Sequence, residues 1–207
     1  PKEKLQTKIM KWFFGIFTFL MLCMLAGIGG VLWVFWSFGR GLPDYAKLAD
    51  YEPPVVTRIH AGDGALLAEY ATQKRLFMPT QAMPPDLIAA FLSAEDKSFY
   101  KHFGVDLRAL SRAIITNISN MGSGRRPIGA STITQQVAKN FLLTNEVSVE
   151  RKIKEAILAI RIEHALEKSD ILALYLNDIY LGLSSYGVAA AALNYFDKPL
   201  DQLELHE

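Results

Sequence analysis

Pro84-Pro85-Asp86-Leu87-Ile88-Ala89-Ala90-Phe91-Leu92 reads as the opening of a helix. Proline suits a first turn because its missing N–H would have no partner there. Asp86 complements the positive end of the helix dipole, and Leu87, Ile88, Phe91 and Leu92 repeat at three and four residues. The same period continues almost to the end of the chain: Ile153, Ile157 and Ile160 form one apolar stripe, and Ile171, Leu174, Tyr175 and Ile179 another. Leu107, Leu110, Ile114, Ile118 and Met121 form a third, followed by Gly122-Ser123-Gly124. Such a stripe ordinarily packs into a core; its other reading is a surface that dips into a membrane interface. Ahead of the helices, Val55-Val56-Thr57-Arg58-Ile59-His60 alternates toward Gly62-Asp63-Gly64, and Leu66-Leu67-Ala68-Glu69-Tyr70 follows, which predicts a β-hairpin. The expected fold class is mainly α with that small hairpin.

Further upstream the composition changes. Residues 12–39 are a run of 28 without a charge. That exceeds the ~20 residues of a spanning helix and the ~7–15 of a cleaved signal's apolar region. Lys2, Lys4, Lys8 and Lys11 precede it against Glu3, whereas Arg40, Asp44, Lys47 and Asp50 roughly cancel after it. The lysine excess places the amino terminus in the cytoplasm and the rest of the chain outside. Trp12 at one end and Trp33 and Trp36 at the other suit the two interfaces. Pro43, Pro53 and Pro54 resist regular structure, so the organisation reads as a cytoplasmic tail 1–11, a transmembrane helix 12–39, a linker 40–54 and a domain 55–207.

The 207 residues leave room for one medium domain besides the anchor. A formal net charge of +1 offers no bulk attraction to nucleic acid, so no nucleic-acid partner is expected. Cys23, the only cysteine, lies in the apolar block and reads as a small hydrophobe.

Three stretches carry chemistry. Glu95-Asp96-Lys97-Ser98-Phe99-Tyr100-Lys101-His102-Phe103-Gly104 puts two acids near the end of an apolar helix, where by themselves they read as solvated. His102 reads as a structural histidine, with no second histidine at metal-ligand spacing. Gly129-Ala130-Ser131-Thr132-Ile133-Thr134-Gln135-Gln136 concentrates hydrogen-bonding side chains where a helix would use apolar ones. It suits a ligand rich in hydroxyls or phosphate oxygens, and also a helix start capped by Ser131 or Thr132. Arg151-Lys152-Ile153-Lys154-Glu155 brings Arg151, Lys152 and Glu155 to one helix face, either as a surface ion pair or with Lys139 as a place for an anion.

Segments 95–104, 129–136 with Lys139-Asn140 behind them, Arg151-Lys152 with Glu155, and Leu174-Tyr175-Leu176-Asn177 ahead of Gly182 occur in this order. Together they resemble the successive motifs of the glycosyltransferase family 51 domain, found in class A penicillin-binding proteins and in monofunctional peptidoglycan glycosyltransferases. The resemblance covers residues 55–207. It implies a lysozyme-like helical fold that polymerises lipid II into β-1,4-linked glycan with loss of undecaprenyl pyrophosphate. It implies Glu95 as the base taking the acceptor hydroxyl's proton and Glu155 as a second carboxylate beside the donor's pyrophosphate. Lys139, Arg151 and Lys152 would stabilise the departing charge; Ser131, Thr132, Gln135 and Gln136 would orient it. A sugar hydroxyl is a poor nucleophile at neutral pH, and a leaving pyrophosphate gathers charge, so both requirements make chemical sense.

The resemblance further implies lipid II and the growing glycan as partners, other cell-wall synthesis proteins beside them, and the bacterial inner membrane as location. It implies no certain cofactor beyond an optional divalent cation, Mg2+ or Mn2+, on the pyrophosphate, which no residue of the sequence fixes. The linker and hairpin before Pro84 resemble the class A proteins, in which a transpeptidase domain follows; no serine acylation motif is present to bind β-lactams. Residues 203–207 fall within what resembles a further helix, so the domain is expected to be cut short. Leu183-Ser184-Ser185-Tyr186-Gly187 stands where relatives have a glycine-rich turn, and Asp197 where glycine is frequent. Two competing readings remain. A lysozyme-like glycan-cleaving enzyme would have little need of cations at a pyrophosphate, and a non-catalytic membrane-tethered binding module would have no use for the two glutamates.

Overall fold

The computed structural model describes residues 2–48, 57–64, 66–70, 74–144, 146 and 148–207. The chain forms two compact units, Pro1–Leu42 and Pro43–Glu207.

The first unit is a single helix, α1 (Lys2–Gly39). It starts ten residues before the apolar run because Lys, Glu, Leu, Gln and Met are all good helix formers; the boundary at Trp12 is one of composition, not of backbone. Met10–Gly39 has mean hydropathy 2.2 and none of it is buried within the chain. At ~1.5 Å per residue it reaches ~45 Å, longer than the ~30 Å hydrocarbon core of a bilayer. Thr18 Oγ1 donates to Phe14 O, which leaves no polar group seeking water in mid-helix.

The second unit opens with a 3-10 turn at Tyr45–Leu48 that packs beside a later helix and buries Leu48. Residues 49–54 of the expected linker, and Val55 and Val56 of the expected hairpin, lie outside the described residues. The hairpin is present: β1 (Thr57–His60) pairs antiparallel with β2 (Leu66–Tyr70), Thr57 opposite Tyr70, with a register shift after Ile59. The rest is helical: α2 (Pro85–Glu95), α3 (Leu107–Ser119), α4 (Ile133–Leu142), α5 (Val149–Ala165), α6 (Lys168–Asp178) and α7 (Val188–Phe196). The core lies where α4 packs on α5 and α6, filled by Ile133, Val137, Leu158, Ile162, Leu172, Tyr175 and Leu176.

Core packing of the third stripe is overturned. Leu107 is 72% exposed, Ile118 63% and Met121 82%, while the residue α3 buries is Ala113. The bulky apolar face of α3 is turned outward, while the small residues Ala113 and Ala109 are buried and half-buried.

Two short strands, β3 (Lys74–Arg75) and β4 (Ser185–Tyr186), pair in parallel. Asn177 at the end of α6 secures the segment that follows β3. It accepts from Met78 N and donates to Met78 O, both at 2.8 Å. Residues 203–207 form a turn instead of the expected helix. Lys198 pairs with Glu207 at 2.7 Å, and Glu207 accepts from Glu204 N.

Candidate active site

Three of the four motif segments converge, most of their functional residues sitting at or near helix ends, while residues 174–182 lie outside the cleft. Glu95 is the last residue of α2, Ser131 and Thr132 precede α4, Gln136 and Lys139 lie on α4, and Arg151, Lys152 and Glu155 lie in the first two turns of α5. Together they line one cleft of about 620 Å³.

The two adjacent acids part company here. Glu95 is exposed, and its Oε2 accepts from Gln136 Nε2 at 2.8 Å. Asp96 is buried, and its carboxylate accepts from His102 Nε2 at 2.9 Å and from Ile133 N at 3.1 Å, which ties the end of α2 to the start of α4. His102 is therefore structural, as its sequence context suggested. Gly104 completes the loop with φ +89° and lies so close to α5 that an added Cβ would stand 2.6 Å from the Ala159 carbonyl, a place only glycine can take.

The polar segment divides in the same way. Thr132 caps α4 in a reciprocal box with Gln135 and also donates to Gly104 O at 2.6 Å. Both side chains are buried, so part of the polar density seen in the sequence answers the helix's own unpaired N–H groups. Ser131 and Gln136 are less enclosed, and Ser131 Oγ accepts from Lys152 Nζ at 2.7 Å.

Glu155 is 1% exposed and is held by two cations, Arg151 and, at 2.6 Å, Lys152. A buried carboxylate so paired neutralises part of the cluster and fixes where the remaining positive charge points. Burial, and then the charges of Arg151 and Lys139, lower the Lys152 pKa. A group under that pressure gains from an arriving anion.

Sequence reasoning missed Arg112, Ser98 and Asp106, which also line the cleft. Asp106 caps α3 through Arg108 N and Ala109 N, both at 2.9 Å. The Ala109 N–H holds the Asp106 carboxyl below its usual range, against the lesser opposing effect of burial. The signal for Arg112 was its place opposite the apolar stripe of α3, on the same side as Ala109 and Ala113.

Among the described residues no three His, Cys, Asp or Glu side chains converge as a metal cage. Of the cleft's carboxylates, Glu155 is committed to two cations, Asp96 to His102 and Ile133 N, and Asp106 to the α3 cap, which leaves Glu95 alone. This donor set does not fit a cation held by the protein alone.

A family model described as transglycosylase matches residues 63–207. Penicillin-binding protein 1A of Rickettsia felis is 54% identical over 184 residues, 89% of this chain and 23% of that protein. The proteins of the same name from Rickettsia typhi and Escherichia coli are 49% identical over 200 residues and 45% over 185, covering 97% and 89% of this chain and 25% and 21% of theirs. The chain thus spans about a quarter of the length of these relatives. With the family model covering most of its second unit, the chain belongs to the transglycosylase family.

Proposed function

We propose that this chain is a peptidoglycan glycosyltransferase that joins lipid II units into β-1,4-linked glycan and releases undecaprenyl pyrophosphate. The observation that carries the reading is the single cleft holding a carboxylate and, across it, a cation cluster built on a second, buried carboxylate. Glu95 takes the proton of the acceptor hydroxyl as that oxygen attacks the donor sugar. Gln136 holds the carboxylate, and the departing pyrophosphate meets Lys139, Arg151 and Lys152, with Ser131 beside them. Thr132 and Gln135 act through α4, whose start they fix. A divalent cation, if bound, would add positive charge beside the departing pyrophosphate, a task that Lys139, Arg151 and Lys152 perform here.

Family membership and the cation cluster favour synthesis over cleavage, since a glycan hydrolase meets no pyrophosphate. Product analysis with purified lipid II tests the reading: new glycan supports it, shortening of preformed glycan turns it toward a hydrolase, and binding without turnover turns it toward a tethered module.

The location follows from the same substrate. α1 anchors the chain in the bacterial inner membrane with its amino terminus in the cytoplasm, and the exposed apolar face of α3 dips into the interface from which a lipid-borne donor enters. A reporter fused after Pro54 is active only outside the cytoplasm if this topology holds; cytoplasmic activity would overturn both the orientation and the substrate.

A further inference from the structure

Acids make up 21 of the 207 residues, yet none occurs between Asp106 and Glu146. The same stretch carries Arg108, Arg112, Arg125, Arg126 and Lys139. Arg108, Arg125 and Arg126 are exposed, and among the described residues no ion pair engages them. In the sequence they stand on either side of the exposed apolar residues Ile114, Ile115, Ile118 and Met121. Apolar bulk this widely exposed is unfavourable in water, and the guanidinium groups near it in the sequence add positive charge that no ion pair among the described residues offsets. Together they complement a surface that is apolar below and negatively charged at its phosphates.

We propose that α3 and the loop after it form an anionic-phospholipid contact, in which Arg108, Arg125 and Arg126 bind headgroup phosphates while the Leu107, Ile114, Ile118 and Met121 face enters the acyl boundary. This rests on the reading that α3 dips into the interface and adds to it a selection for lipid charge. A basic residue near an anionic leaflet raises the docked population on the order of fivefold, an attraction confined to about a Debye length. Arg112 lines the catalytic cleft and is not counted among the lipid contacts.

The test uses the full chain, anchor included, with Cys23→Ala and Ile118→Cys carrying a nitroxide. It is reconstituted in vesicles of phosphatidylcholine alone or of phosphatidylcholine with phosphatidylglycerol. Collision rates with oxygen and with a water-soluble nickel chelate report the depth of the label. The expected result is a label in the interface with phosphatidylglycerol, shallower in phosphatidylcholine, and returned to the shallow position by Arg108→Gln with Arg125→Gln and Arg126→Gln. Equal depth in both lipids, unaffected by the arginine changes, overturns the selection for charge while leaving the interfacial contact. A label in water in both overturns the contact itself. A label shielded from both reagents gives the face to a second protein copy or another protein and overturns the lipid assignment. Glycan synthesis measured on the same vesicles reports separately on the catalytic reading.

Discussion

Glu95 and Gln136 stand 41 residues apart in the chain and meet across the cleft, the amide Nε2 donating to the carboxylate Oε2 at 2.8 Å. The bond joins the end of α2 to the first turn of α4 and leaves the second carboxylate oxygen to receive a proton. Glu95→Gln keeps the shape but cannot accept that proton. The variant is expected to fold, bind lipid II and lose ~10²–10⁴-fold in turnover. Initial rates of glycan formation check this, and near-normal polymer would remove Glu95 from the role of base.

Asp96 does different work, so its replacement has a different signature. Asp96→Asn weakens the bonds to His102 Nε2 and Ile133 N, and leaving a buried group poorly answered costs ~1–3 kcal/mol. Thermal unfolding is expected at lower temperature, with residual polymerisation surviving in the folded fraction. A variant as stable as the parent but fully inactive would transfer the base to Asp96.

Lys152 gives a pH prediction. Its pKa lies below the usual 10.5 because burial and then the Arg151 and Lys139 charges disfavour the protonated form. The cation is therefore lost as pH rises through that lowered value, and kcat/KM, which reports the free enzyme, should fall on the alkaline side before pH 10.5. In kcat the limb should lie higher, because bound pyrophosphate favours the charged lysine. Lys152→Arg removes the limb from both. Profiles that coincide for parent and Lys152→Arg would separate Lys152 from the anion.

The α3 cap sets a second pH limit, on the acid side. Asp106→Ala is expected to cost ~1 kcal/mol, and Asp106→Asn less, because an amide oxygen can still accept from Ala109 N. With the carboxyl held below its usual 3.8, the cap's contribution is complete above that value and is lost only as pH falls through the lower folded one. Acid unfolding of the parent and the two variants checks both statements.

What the sequence reveals and hides follows from these residues. By themselves Glu95 reads as a solvated acid and Arg151, Lys152 and Glu155 as a surface ion pair or an anion site; the ordered set of motifs singles them out, and only the fold brings Glu95, Gln136, Lys139, Arg151 and Glu155 to one cleft. The outward face of α3 is not legible: a stripe such as Leu107 to Met121 says that one face is apolar, not that anything covers it. Nor can spacing show that Thr132 and Gln135 serve their own helix, since a capping box and a ligand-binding segment call for the same side chains. The departures from the family's glycines carry a backbone signal instead. Leu183, Ser184 and Asp197 all adopt left-handed φ, at 45°, 59° and 53°, where glycine would sit without strain.

Glu155 combines structure and chemistry most closely, and its replacement should separate them. Glu155→Gln leaves Arg151 and Lys152 without their common counter-charge. Breaking a fully buried pair costs ~3–5 kcal/mol. Here Lys152 is 49% exposed and Arg151 15%, so water takes up part of the loss. The expected penalty is nearer ~1–3 kcal/mol. If the cluster is a pyrophosphate site, added inorganic pyrophosphate supplies the missing negative charge, and its stabilisation of Glu155→Gln in a thermal melt should exceed that of the parent. Polymerisation should still fail, because the anion then sits where the leaving group must form. Equal stabilisation of both proteins would show that pyrophosphate does not bind at these cations, and would return the Arg151, Lys152 and Glu155 cluster to the role of a structural ion pair.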